Sequence, residues 1–374
     1  GVRPDAAPVR WARSQRARIW SELELGMSLQ AAPWALITGT NGKTTTCHLL
    51  AEILRDKRSC EICGNSGISV CRSLLDKGPN VMRVVEASSF QLKFSRRMKP
   101  DVAVLLNLSP NHLDWHPTLR DYYEAKVKVI RWLLAECALV FNAGDARLER
   151  EAGRARCRRM SFGSEAESPG VCFKSGRLVI RRGANRHVIL RFRSIALKGE
   201  HNRRNVEAAA AAALCLGAST QSIAKAVGAF KPLVHRIEDV GAYGGVSFVN
   251  DSKSTTARST AAALEAVGKN VILMAGGIAK EKRYRDLVPE LKKRVDRVVL
   301  YGRSAPFLDR ELSGFDARTV CSGFEEAFRA AAAGARKGQT VLLSPMCSSF
   351  DQFKSFEERG EAFRRLVRKV RTSS

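Results

Sequence analysis

Trp34-Ala-Leu-Ile37 runs directly into Thr38-Gly39-Thr40-Asn41-Gly42-Lys43-Thr44, and a helical pattern follows to about Arg55. A short apolar run closed by a glycine-rich turn reads as a buried strand feeding a helix. The glycines let backbone N–H groups approach phosphate oxygens, and the start of the helix adds positive potential. Lys43 would reach the β- and γ-phosphates, and Thr44 would offer its hydroxyl to Mg²⁺. The longer Walker spacing is not met, because the position five before Gly42 is Ile37. The strand–loop–helix context nevertheless predicts a nucleotide site.

Outward from this loop the pattern repeats. Apolar strands are readable at Val81–Val85, Asp101–Leu106 and Ala138–Asn142, with helical segments between them. That alternation predicts a parallel sheet covered on both faces. Between Met160 and Arg193 short alternating strands with Gly and Ser turns predict a small antiparallel subsheet. Helices return from about Asn202 to Ala229, and Pro232 marks a domain junction. A second α/β series follows, with strands at Val246–Val249, Val271–Ala275, Val298–Tyr301, Arg318–Val320 and Thr340–Leu343. Five strands alternating with helices predict a doubly wound, Rossmann-like domain. A basic amphipathic helix is expected from about Phe356 to Val370. The first thirty residues offer a short strand near Ile19 and a Glu-Leu-Glu-Leu helix, too little for a domain.

The 374 residues carry 63 Lys and Arg against 37 Asp and Glu, a formal net charge of +26. Nucleic acid or an anionic surface is the first thought for such a balance. The basic residues, however, cluster only near Arg3–Arg18 and Arg359–Arg371 and are otherwise interspersed with acids, so a solvated basic surface is favoured. The longest uncharged apolar stretch, Ala208–Ala218, is too short for a bilayer, which takes about 20 residues. Of ten cysteines only Cys60 and Cys63 form a CxxC, and most others sit in apolar runs, which suggests a reducing cytosol.

Polar clusters fall at the carboxyl ends of the strands, where open α/β sheets bind ligands. Glu86 closes Val81–Val85 and opens Ala87-Ser88-Ser89-Phe90-Gln91, a place for a metal ligand or simply a cap. Asn107-Leu-Ser-Pro-Asn111-His112-Leu-Asp114 ends the next strand, and a metal or phosphate contact is favoured for His112. Lys126 has no local signature and reads as a surface lysine. The second series contributes His235-Arg236, Asn250-Asp251-Ser-Lys253-Ser-Thr255, Gly276-Gly277-Ile-Ala-Lys280 and Ser344-Pro-Met-Cys347-Ser-Ser349-Phe350-Asp351-Gln-Phe-Lys354.

With these segments in place the chain resembles the Mur ligase family, ATP-dependent amide-bond-forming enzymes of peptidoglycan synthesis. The resemblance covers nearly the whole chain. It is carried by Gly39–Thr45, Glu86–Gln91, Asn111–Asp114, Gly199-Glu-His-Asn202-Arg-Arg-Asn205, His235-Arg236, Asn250–Lys253 and Ser344–Phe356. The last run looks like the D-glutamate-adding branch, and the Asn-Pro-Arg motif of branches adding diaminopimelate or lysine is absent. The resemblance implies a remnant of a UDP-binding domain at 1–30, an ATP-binding domain at 31–232 and an amino-acid-binding ligase domain at 233–374. It implies ATP, UDP-N-acetylmuramoyl-L-alanine and D-glutamate as substrates of a cytoplasmic monomer, with no nucleic acid and no membrane.

Further roles follow from the resemblance alone. Gly39, Thr40, Asn41, Gly42, Lys43, Thr44, Thr45, Asn202, Asn205, Arg236 and Asp251 would bind ATP. Lys43, Glu86, His112 and Lys126 would be catalytic, with two Mg²⁺ ions held through Thr44, Glu86, His112 and a carbamylated Lys126. Asn65 and Ser88 would meet the muramoyl substrate, and Lys253, Thr255, Lys280, Ser349, Phe350 and Phe356 would line the D-glutamate pocket. Thr256 replaces a usual Asn, and Ile278-Ala279 stand where Asp-Gly is common. The chain opens on Gly1-Val-Arg-Pro4, which resembles the end of the family's first domain, so weak binding of the nucleotide sugar is expected. A folylpolyglutamate synthase adding L-glutamate, and a non-catalytic basic protein that binds nucleic acid, are the alternatives.

Overall fold

The computed structural model describes residues 2–29, 33–110, 115–164, 169–182, 185–191, 199–231 and 233–372, with backbone alone at 182, 185–191, 371 and 372. The chain divides into two compact units, Gly1–Lys231 and Pro232–Ser374.

The first unit is built on one nine-stranded sheet. Its strands are β1 (Trp34–Thr38), β2 (Cys60–Gly64), β3 (Met82–Glu86), β4 (Val102–Leu105), β5 (Ala138–Asn142), β6 (Arg158–Phe162), β7 (Gly170–Lys174), β8 (Arg177–Arg182) and β9 (Asn185–Arg191). They run in the order β2-β3-β1-β4-β5-β6-β7-β8-β9. Every residue of β1, β3 and β4 is buried, as parallel strands covered on both faces require. Leu36, Val85, Leu105 and Leu139 share one core cluster. The alanine-rich helix Glu200–Cys215 buries Ala208–Ala213 and packs against the helix Lys43–Leu54.

The antiparallel strands expected between Met160 and Arg193 are present and continue the main sheet; in this unit one expectation is corrected, and two elements went unforeseen. β6 pairs in parallel with β5 and β7, so β7, β8 and β9 extend the main sheet. β2 went unforeseen because it lies at the sheet edge, where only Cys63 is fully buried and the apolar signal is weak. No strand forms near Ile19 among the described residues, since an extended stretch needs a partner and none of the nine strands abuts it. An unforeseen helix, Ala7–Ser14, precedes it, with a proline in its first turn and Val9 buried.

Among the described residues the second unit holds six strands rather than five. They are β10 (Glu238–Tyr243), β11 (Val246–Asn250), β12 (Val271–Gly276), β13 (Val295–Tyr301), β14 (Arg318–Val320) and β15 (Thr340–Met346), in the order β10-β11-β15-β12-β13-β14. β10 folds back antiparallel on β11 through Gly244-Gly245, and all other pairings are parallel. Neighbouring residues on a strand enter opposite cores. Leu273 and Leu342 join one apolar cluster, while Met274 and Leu343 join the other with Phe248 and Phe363. This alternation is the doubly wound arrangement expected. Among the described residues no helix is long and apolar enough to cross a membrane.

Candidate active site

In the first unit the strand order turns at β1, which leaves β3 on one side and β4 on the other. Ligands of open α/β sheets bind at such a switch point. The loop that leaves β1 turns through Gly42, which caps the helix Lys43–Leu54 at φ +86°. At this left-handed φ a side chain would be strained, and a Cβ would also press on the side-chain oxygen of Asn205, so glycine is favoured. Asn205 thus reaches the loop from a helix far along the chain, and its amide donates to Asn202 Oδ1 at 3.3 Å.

Other side chains fix the loop. Asn107 accepts from the Asn41 N–H at 2.9 Å and donates to the Asn41 carbonyl at 3.1 Å. Thr40 Oγ1 donates to the Ser109 carbonyl (3.1 Å) and accepts from the Tyr122 hydroxyl (3.0 Å). Lys43 curls over its own loop, and its Nζ donates to the carbonyls of Gly39 (3.1 Å) and Thr40 (2.9 Å).

Glu86 ends β3 opposite Ile37 of β1 and is almost wholly buried. Its two oxygens accept from the Thr44 hydroxyl and the Asn65 amide, each at 2.8 Å. Lys126, read from sequence as a surface lysine, is only 2% exposed, and its Nζ donates to the Gly39 carbonyl at 2.8 Å. Burial pushes its pKa well below the usual lysine range; the Lys43 cation adds to this and Glu86 opposes it. A carboxylate, a hydroxyl and two amines therefore gather beneath one glycine loop. Thr45 is buried in the following helix, and Ser88 caps the helix Ser89–Phe94 in a reciprocal box with Gln91.

Sequence reasoning missed a neighbouring triad. Buried His116 bonds through Nδ1 to Asp121 (2.7 Å) and through Nε2 to Ser89 Oγ (3.0 Å). It ties the helix Leu119–Val127, which bears Lys126, to the turn after Glu86. Burial pushes the pKa of His116 down, with Asp121 opposing. His112 lies outside the described residues.

In the second unit the candidate residues follow the ends of three adjacent strands, β11, β15 and β12. Asp251 is buried and accepts from the Ser344 hydroxyl (2.9 Å) and the Ile237 N–H (3.2 Å). Burial raises its pKa to about 6, against the pull of Ser254, Ser344 and the Arg236 charge. Lys253 Nζ stands 5.4 Å from the Phe356 ring centre. Thr255 is half-buried, Lys280 exposed, Ser349 buried, and Phe350 67% exposed.

The Mur ligase middle domain matches residues 37–213, and the Mur ligase glutamate ligase domain matches residues 235–347. A UDP-N-acetylmuramoylalanine–D-glutamate ligase of Pelotomaculum thermopropionicum is 36% identical over 371 residues, 98% of this chain and 82% of that relative. One from Desulfitobacterium hafniense is 36% identical over 375 residues, covering 99% of this chain and 82% of its own length. The chain belongs to the Mur ligase family. Two solved structures show the same fold at lower identity. The MurF ligase of Thermotoga maritima, in complex with ADP, has a TM-score of 0.68 at 20% identity over 94% of this chain and 83% of that one. E. coli FolC, in complex with DHPP and ADP, has a TM-score of 0.69 at 15% identity over 99% and 100%.

This Mur ligase also buries neighbours of the candidate residues that no motif announced. Tyr122, His116 and Arg359 are all buried near residues named from sequence. Arg359 was counted among a run of surface cations, yet its guanidinium is fully buried. The only local sign is its place in the helix Phe356–Thr372, three residues after Phe356, on the face that also buries Phe363.

Proposed function

We propose that the chain is an ATP-dependent ligase that joins D-glutamate to UDP-N-acetylmuramoyl-L-alanine, working as a monomer in the cytoplasm without nucleic acid. The γ-phosphoryl of ATP passes to the terminal carboxylate of the muramoyl substrate to give an acyl phosphate. The amine of D-glutamate attacks that carbonyl, the tetrahedral intermediate collapses, and inorganic phosphate leaves. Such transfers need alignment and charge neutralisation more than covalent help from protein. In this reading the Gly39–Thr45 loop, with Asn202 and Asn205, holds ATP in the first unit. By the resemblance to the family, Arg236 and Asp251 are also assigned to ATP. Asn65 and Ser88 serve the muramoyl substrate, and Lys253, Thr255, Lys280, Ser349, Phe350 and Phe356 serve D-glutamate.

The observation that carries this reading is the meeting of Thr44, Glu86 and Lys126, distant in sequence, under one loop. Hard oxygen donors at Thr44 and Glu86 suit Mg²⁺, which when bound neutralises phosphate charge. Among the described residues no group of three His, Cys, Asp or Glu could hold a metal unaided. By the resemblance to the family, a second Mg²⁺ would use Glu86 and His112 with an added carboxylate on Lys126. A depressed, buried amine suits that addition, because a neutral amine can attack CO₂ and release one proton as the carbamate forms.

The deciding experiment measures phosphate release and product mass with UDP-N-acetylmuramoyl-L-alanine, ATP and a panel of amino acids. Turnover with D-glutamate alone is expected. Extension of a pterin substrate by L-glutamate, or salt-steep polyanion binding without ATP consumption, would overturn the proposal. For the carbamate, Lys126→Ala should lose activity and regain part of it with short-chain carboxylates. Wild-type rates without rescue would remove that role.

A further inference from the structure

Arg359 has no surface in contact with solvent, although its helix is otherwise basic and largely exposed on one side. Its fork is fully used. Nε donates to Ser252 Oγ (3.0 Å), Nη2 to the carbonyls of Ser252 (2.9 Å) and Cys347 (3.2 Å), and Nη1 to those of Cys347 (3.2 Å) and Gly276 (3.4 Å). Ser252 follows β11, Gly276 closes β12, and Cys347 follows β15. One side chain thus joins three strand ends. Each of those ends leads into residues assigned to the amino-acid pocket: Lys253 and Thr255, then Lys280, then Ser349 and Phe350. Ser252 Oγ also donates to the Phe356 carbonyl at 2.8 Å, so the first turn of the arginine's own helix is drawn into the same knot.

Every one of these acceptors is neutral. Among the described residues Arg359 makes no ion pair, and the Asp351 carboxylate, whose charge acts with that of Arg359 on Tyr301, is not bonded to it. Asp351 accepts from the Arg303 N–H (2.9 Å), and Asp251 from Ser344 (2.9 Å). The other fully buried arginine, Arg83 of the first unit, shows the alternative. Its Nε also donates to a serine hydroxyl, that of Ser73 (3.2 Å), but that hydroxyl passes on to the Glu61 carboxylate at 2.5 Å. Arg83 has an acid one hydroxyl away, whereas the equivalent path from Arg359 ends on a carbonyl. A buried cation held only by neutral acceptors opposes folding, because its hydration is lost and no direct ion pair replaces it. Its field also reaches further than that of a solvated lysine, since solvent and salt screen it less.

We infer that Arg359 is the positioning and specificity-determining residue of the amino-acid pocket, stapling its three strand ends and reserving it for a dianionic amino acid. This deepens the proposed ligase activity and rests on it. The missing counter-charge is supplied by substrate: D-glutamate brings two carboxylates, and a neutral-side-chain analogue such as D-glutamine brings one.

The test uses the full chain with Arg359→Met and Arg359→Lys, following phosphate release against D-glutamate and D-glutamine at saturating ATP and muramoyl substrate. Arg359→Met should raise KM for D-glutamate by about tenfold or more while KM for ATP stays within about twofold. Its preference for D-glutamate over D-glutamine in kcat/KM should shrink by about fivefold or more, and Arg359→Lys, which keeps the charge, should restore most of that preference. A merely structural role moves kcat, both KM values and the melting temperature together, leaves the preference unchanged and gives no rescue. That result would overturn the inference. Should Arg359→Met fail to fold, the lysine variant decides: a retained preference supports the charge, and a lost one ends it. Absence of D-glutamate turnover in the unaltered chain would sink the ligase reading itself, whereas normal turnover with an unchanged preference in the variants would sink only the role of Arg359.

Discussion

In the first unit the candidate site is gathered by backbone on a glycine loop between β1 and its helix; in the second it is gathered by side chains on three separate strand ends. The loop around Gly42 depends on a left-handed backbone that favours glycine, with Asn205 packed against it. Its two lysines, Lys43 and Lys126, both turn their amines toward the Gly39 carbonyl. In the second unit the order comes from behind, through the fork of Arg359 on Ser252, Gly276 and Cys347. A site made of backbone tolerates little change in its own residues. One made of side chains can vary at its lining while its geometry depends on a residue that need never touch a ligand.

That contrast can be broken most forcefully at Lys43. Lys43→Ala should reduce D-glutamate-dependent phosphate release by about 10²- to 10³-fold while leaving the unfolding of the second unit unchanged. A rate within about tenfold of the unaltered chain would show that the loop's cation is dispensable. Next in size is Gly276→Ala. At φ +152° an added Cβ would run into the Tyr301 carbonyl, so denaturant unfolding should show a loss of about 3 kcal/mol in the second unit only.

A subtler probe is pH. Burial holds Asp251 at a pKa of about 6, above its ordinary 3.8, so the folded state binds the proton more tightly than the unfolded chain. Stability of the second unit should fall as pH rises from about 4 to 6, by an amount on the order of 2 kcal/mol. Asp251→Asn should flatten that dependence in urea titrations at several pH values. An unaltered pH profile in the variant would mean another group titrates. Smallest is Ser88→Ala, which removes one half of a capping box and should cost about 1 kcal/mol in the first unit by the same titration.

Much of the fold was legible because parallel strands buried on both faces are nearly continuous apolar runs. β1 and β5 could be read almost to the residue from Trp34–Ile37 and Ala138–Asn142. Strands with a wet face were not. β2 is half-exposed, and β10, Glu-Asp-Val-Gly-Ala-Tyr, neither alternates cleanly nor runs apolar, although the Gly244-Gly245 pair beyond it was a hairpin signal. The glycine loop was legible because its requirements are local. Lys126 and Arg359 were not: nothing within a few residues of Lys126 betrays that it turns inward, and Arg359 shows only its place on the helix face that also buries Phe363. Their burial is decided by what other strands bring to the same place.

β15 is the last strand of its sheet in chain order, yet it lies in the middle, between β11 and β12. The register pairs Ser247–Asn250 on one side and Val271–Met274 on the other with Thr340–Leu343. On a ribosome, the earlier strands of this unit emerge with the slot between them empty. β11 and β12 can then present unpaired edges to solvent, to a chaperone or to another nascent chain until residues 340–346 arrive to close it. The second unit should accordingly acquire protease resistance in a single late step, after its final strand is synthesised, while the first can already be compact.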